Sequence, residues 1–133
     1  MSTVIQPQGW VKPSGFSNGI VATGKTLYIG GQVGWNPRSA PPQFGASFAE
    51  QFDQVLSNIC EILAAAGGKP EHLVRMTVYV THKQEYLASL KAIGAAWKKH
   101  LGRHYPAMAL VQVAALVEDA AKVEIEATAV LES

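Results

Sequence analysis

Cysteine is nearly absent from this chain. Cys60 stands alone among 133 residues, so no intrachain disulfide can form, which fits a reducing compartment. Charge is also scarce. Asp, Glu, Lys and Arg make up 16% of the chain, and eleven basic residues against ten acidic ones leave a net charge of +1. That balance offers no electrostatic footprint for nucleic acid or for an anionic membrane. Trp10, Trp35 and Trp97 do not form a basic-aromatic strip on which bases would stack. No apolar stretch approaches the roughly 18 residues of a membrane span, and Met1 to Trp10 shows no basic segment leading into an apolar run. The expectation is a cytoplasmic protein with neither nucleic acid nor membrane as partner.

What the chain does have is apolar mass. Hydrophobic residues reach 48%, and a domain of about this length buries roughly two-thirds of its unfolded surface. One domain over residues 1–133 with a sizeable core, a protected interface, or both is expected. Residues 1–19 carry Pro7, Gly9, Pro13, Gly15 and Gly19 and read as an irregular lead-in. Ile20-Val21-Ala22 and Leu27-Tyr28-Ile29 flank Thr23-Gly24-Lys25-Thr26, which predicts a β-hairpin. Gly30 and Gly31 prolong the second strand and mark a bulge or a close backbone approach.

Residues 47–66 predict a helix, with Ser47 as N-cap and Glu50 as its partner. Phe48, Phe52, Val55, Leu56, Ile59, Ile62 and Leu63 recur at helical spacing, and Gly67-Gly68 ends the run. Cys60 lies near that stripe as a small buried thiol. Val74 to Thr81 reads as a strand, Glu85 to Leu101 as a second helix stopped by Gly102, and Ala107 to Val113 and Lys122 to Leu131 as the last two strands. The pattern predicts an α+β domain with one mixed sheet and both helices on one face.

The alternation of the last two strands directs attention to the other face. Val123, Ile125, Ala127, Ala129 and Leu131 take one side, as do Ala107, Ala109, Val111 and Val113. These sets suit packing under helices. Glu124 and Glu126, together with Met108 and Leu110, then fall on the uncovered side. An oligomer interface enclosing a polar cleft reconciles that mixture; a solvated face is the alternative.

Tyr105-Pro106-Ala107-Met108-Ala109, followed by Lys122-Val123-Glu124-Ile125-Glu126-Ala127, resembles the Rid (reactive intermediate deaminase, YjgF-like) family. That family has an aromatic-Pro-Ala-Arg run and a later strand patterned (V/I)-E-I-E-A. Leu27 to Val33, with its Gly30-Gly31-Gln32 end, Asn36-Pro37, Ala64 to Gly67 and Val74 to Val80 follow in family order. The resemblance covers about Ser14 to Leu131. It implies a chorismate-mutase-like fold, a homotrimer around a barrel-like centre, and a small-molecule cleft between subunits. It also implies hydrolysis of enamines and imines to ammonia and an oxo acid, without a cofactor.

Transferred residue by residue, the resemblance marks changed equipment. The clamp arginine after Pro-Ala is Met108, and a thioether has none of the planar donors that grip a carboxylate. The tyrosine position after Gly15 is Phe16. A helix asparagine becomes Lys91, and a small residue two beyond the clamp becomes Leu110. Glu124 and Gly31 are kept. Losing a charge-assisted contact costs about 1.5–3 kcal/mol, which implies weak turnover of carboxylate substrates.

The candidate set is thus Glu124 as proton-exchanging group, with Phe16, Gly31, Lys91, Met108, Ala109 and Leu110 as ligand contacts. Backbone groups near Gly31 or Ala109 would hold the reacting atom. Two alternatives stay open. Glu124 either exchanges protons beside an apolar Met108–Leu110 wall or pairs with a cation across an interface. Lys91 either enters the cleft or is solvated. His100 and His104 lie four apart, but Gly102 interrupts the helix between them and no third ligand is near, so no metal site is expected. Ser14, Ser17 and Ser39 lack a nucleophile-elbow context.

Overall fold

The computed structural model describes residues 2–132. Helix α1 (Phe48–Ala65) forms where its apolar period places it. The Ser47 hydroxyl accepts from the Glu50 backbone N–H at 3.1 Å and donates to the Glu50 carboxylate at 3.0 Å. Phe48, Phe52, Val55, Leu56, Ile59 and Leu63 are buried along one side. Gly67, at φ +80°, takes the left-handed turn that stops the helix, and the Gly68 N–H closes it on the Leu63 carbonyl at 2.7 Å.

The second predicted helix is two helices, α2 (Lys83–Ala88) and α3 (Leu90–Leu101), broken at Ser89. The apolar residues of the two pieces do not form one buried side: Leu87 and Leu90 are half exposed, while Ile93, Ala96, Trp97 and Leu101 are buried. The Gln112 side-chain oxygen accepts from the Lys83 N–H at 2.8 Å, fixing the start of α2 to the end of a neighbouring strand.

Among the described residues, six strands build two sheets. β1 (Ser2–Ile5) and β2 (Gly19–Ala22) pair as an antiparallel ribbon. β3 (Lys25–Val33), β4 (Leu73–Val80), β5 (Ala107–Gln112) and β6 (Val123–Leu131) form a mixed sheet in the order β3-β6-β4-β5. Only β4 and β5 run parallel, joined by α2 and α3 as a crossover.

Two expectations change here. The lead-in is not irregular throughout, because Ser2–Ile5 is a strand. The expected hairpin does not form, because Ile20–Ala22 pairs with that strand while β3 pairs with β6. The chain does turn at Gly24, which sits tightly against the Leu131 carbonyl. The turn steps from one sheet to the other instead of joining neighbours.

The helices cover one face of the four-stranded sheet. Met76, Val78, Val80, Val123, Ile125, Ala127 and Ala129 are buried beneath them. The face assignment of β6 therefore stands, and that of β5 is reversed. Met108 lies opposite Met76, and Leu110 opposite Val78. Both pack against the helix-covered core, while Ala109 and Val111 sit on the open face. The two strands run in opposite directions on either side of β4, so alternation alone could not align their phases.

Two buried amides tie the loops to α1. Gln51 donates to the Gly45 and Ala120 carbonyls, both at 2.9 Å, and accepts from the Lys122 N–H at 2.8 Å. Asn58 donates to the Trp35 carbonyl at 3.0 Å. Among the described residues no helix is long and apolar enough to cross a membrane.

Candidate functional site

The site starts at an irregularity. Pairing of β3 with β6 slips between Ile29 and Gln32, a bulge that releases Gly30 and Gly31 from regular register. The Glu124 side chain occupies the space a β-carbon at Gly31 would take, coming within 3.0 Å at its Cδ. Glycine at 31 is what lets the carboxylate lie against the strand. Glu124 is partly buried on the open face, with Tyr79 of β4 as its cross-strand neighbour.

The same face carries a second carboxylate. Glu126 accepts a hydrogen bond of 2.6 Å from the Tyr79 hydroxyl. That bond, with burial and the negative field of Glu126 and Glu124, holds the Tyr79 phenol above its ordinary ionisation range. Arg75 and Thr77 continue the polar strip, and a shallow hollow of about 460 Å³ lies between Tyr28, Gly30, Arg75 and Glu126. Bulge, acid pair and phenol together can place a water near a proton acceptor.

A second concavity lies beyond β5, the edge strand on the far side of the sheet from β3. The buried Ser17 bridges to Ala107 and donates its N–H to the Pro106 carbonyl at 3.1 Å. This lays the loop before β2 along the Tyr105-Pro106 turn. Gly15, at φ +80°, makes the bend that presents Phe16. Phe16, Trp10 and Tyr105, with Lys12 and Arg103, line a cavity of about 770 Å³.

Within one protomer the predicted site residues divide. Gly31 and Glu124 meet, and Ala109 shares their face, in line with Thr77 and Glu126. Met108 and Leu110 do not join them. Their side chains face the core on the other side of the sheet, so the apolar wall expected beside Glu124 is absent from this protomer. Lys91 is exposed on α3, in the helix layer. Phe16 lines the second cavity. The two histidines weighed as metal ligands turn to different partners. His100 meets Asp53 at 2.9 Å, and His104 meets the Leu73 carbonyl at 2.6 Å.

Neither Arg103 nor Lys12 stands out in the sequence, and Trp10 does so only as a residue weighed for base stacking. No motif marks them; the only available signal was the glycine-punctuated approach to Phe16.

Residues 11–131 match the family described as Endoribonuclease L-PSP. Human 2-iminobutanoate/2-iminopropanoate deaminase is 34% identical over 110 residues, covering 83% of this chain and 76% of that protein. The Escherichia coli protein of the same name is also 34% identical, covering 83% of each chain. Among solved structures, a protein of unknown function of the Rid family from Yersinia pestis superposes with a TM-score of 0.82 at 36% identity, covering 98% of both chains. TdcF of Escherichia coli with bound serine superposes with a TM-score of 0.72 at 28% identity, covering 98% of this chain and 99% of that one. The α+β fold, the Gly30-Gly31-Gln32 bulge and these likenesses together make the chain a member of the Rid/YjgF family.

Proposed function

We propose that this chain, as a single Rid domain, is a cofactor-independent enamine or imine deaminase with a non-standard substrate preference. It works in the cytoplasm as a homotrimer of chorismate-mutase-like subunits, with its ligand cleft at the seam between them. The observation that carries this reading is the Glu124 carboxylate seated against the backbone of Gly31 at the β3 bulge, in a family whose relatives are named as imine deaminases.

The chemistry follows from that placement. A water held beside Glu124 loses a proton to the carboxylate as its oxygen bonds to the imine carbon, and the C=N electron pair moves to nitrogen. Glu124 then returns the proton to nitrogen. The second hydroxyl proton passes by way of Glu124 to the same nitrogen, the C–N bond breaks with its electron pair on nitrogen, and ammonia leaves a carbonyl behind. Backbone groups near Gly31 and Ala109 hold the reacting atoms. Phe16 brings an apolar ring to the ligand site from a neighbouring subunit, while Met108 and Leu110 pack into the core beneath β5 and Lys91 stays on the helix layer. The open face supports the assembly: Tyr28 is 79% exposed in one protomer and Val111 is 43% exposed, and a second copy would cover them.

The test is ammonia release across imines with and without a carboxylate. Turnover of uncharged imines, with slow turnover of 2-aminoacrylate, is expected. Glu124→Gln should remove most of the activity, and a variant as fast as the parent would end this assignment. A second reading is a silent trimer that binds a small apolar metabolite. It is favoured by Met108, which leaves the family's clamp position without a cation. Saturable binding without turnover of any imine would establish it.

A further inference from the structure

The cavity beyond β5 has no role in the chemistry above, yet it is lined like a receptor. We infer that it binds a small aromatic carboxylate, with Arg103 and Lys12 holding the anion. It shares Phe16 with the proposed ligand set. Its argument stands apart from deamination, because no bond is made or broken and Glu124 lies two strands away.

Three observations carry it. The first is shape and composition. The volume of about 770 Å³ lies within the usual range for small-molecule sites. Trp10 is 61% exposed and Phe16 40%, so two aromatic faces stand open around one concavity. The second is charge. Among the described residues the lining contains Lys12 and Arg103 and no carboxylate, and neither cation forms an ion pair there. His104 is already engaged with the Leu73 carbonyl. A ligand therefore meets two uncompensated cations, one of them a planar guanidinium suited to grip both oxygens of a carboxylate.

The third is rigidity. The Tyr105 ring stacks on Trp97 at 5.8 Å and 10°, and the Trp97 indole N–H donates to the His104 carbonyl at 2.9 Å. On the opposite rim the Gln6 side-chain amide holds the Trp10 and Val11 carbonyls, both at 3.2 Å, and accepts from Asn18 at 2.9 Å. The Tyr105 ring and the backbone that carries Trp10 are held before a ligand arrives, which lowers the ordering cost of binding.

The probe is phenylacetate, titrated into the full chain and followed by tryptophan fluorescence, because Trp10 is part of the wall, and by calorimetry. Saturable binding is expected, with phenylacetamide and acetate each weaker by about tenfold or more, since one lacks the charge and the other the ring. Arg103→Met should weaken phenylacetate by a similar factor and Arg103→Lys by less, while the thermal midpoint of both stays near that of the parent because the side chain is exposed. Equal affinity for phenylacetate and phenylacetamide, or an Arg103→Met variant that binds as the parent does, would overturn the site. Absence of ammonia release from every imine would remove the enzymatic reading and leave this one intact. Absence of phenylacetate saturation would do the reverse.

Discussion

Replacing Gly31 with alanine separates the site from the scaffold. The added methyl would overlap the Glu124 carboxylate and come within 3.0 Å of its Cδ and 3.2 Å of its Cγ. Those atoms end a flexible side chain, so Glu124 can rotate away at about 0.5–1.5 kcal/mol. The φ of Gly31 is not positive, so alanine is unstrained there and regains about 0.4–1 kcal/mol by narrowing the unfolded ensemble. The net change in stability is about 1 kcal/mol or less, a shift in Tm of roughly 2–6 °C for a domain of this size. Function has no such compensation: moving a proton-exchanging group by about 1 Å costs on the order of a hundredfold. Urea melts and ammonia release on the same preparation measure both quantities. A Gly31→Ala protein that turns over imines as fast as the parent would refute the placement of Glu124 at the reacting centre. One that fails to fold would refute the claim that only a side-chain end lies in the way.

Gly34→Ala provides the contrast. Its methyl would meet Gln51 at 2.5 Å from Cβ, 2.7 Å from Cα and 2.8 Å from the carbonyl oxygen. These atoms cannot rotate away, so a loss of about 1–3 kcal/mol in urea melts is expected. Gln51→Leu removes three buried hydrogen bonds that tie two loops to α1 and should cost about 2–4 kcal/mol in the same assay. Burial pushes the Cys60 thiol up, which lowers its thiolate fraction at neutral pH, so iodoacetamide should label it slowly in the native protein and rapidly in urea. Tyr79 is held above its ordinary range by its bond to Glu126. Its contribution to stability is therefore present below the unfolded phenol's pKa of about 10 and is lost as pH rises through the folded value. Ultraviolet titration should show a late phenol that Tyr79→Phe removes.

Long periodic elements were legible in the residues. The stripe of α1, its Ser47 cap and the Gly67-Gly68 stop set one helix, and the alternation of Val123 to Leu131 set β6 and its buried side. What escaped depends on partners distant in the chain. Ile20–Ala22 carries the marks of a hairpin strand, but whether it pairs forwards or backwards is decided by Ser2–Ile5, a four-residue strand too short to stand out. The phase of β5 is decided by its parallel register with β4, so Met108 and Leu110 were assigned to the wrong side. Of the proposed site, the Gly31–Glu124 contact was within reach because consecutive glycines in a strand signal close approach. The meeting of Lys12, Trp10 and Arg103 was not, because it arises from a loop folded against a turn some ninety positions later.

The separate ribbon of β1 and β2 has a consequence for how such a chain can change. Among the described residues its ladder joins only those two strands, and the segment between them carries Gln6, Trp10, Lys12 and Phe16. The main sheet and its helical cover are assembled by other stretches of the polypeptide. Apart from the buried Ser17, which bridges to Ala107, substitutions at exposed positions such as Trp10 and Lys12 can therefore change the rim of the cavity beyond β5 without disturbing the interior, so selectivity and foldability are under separate control.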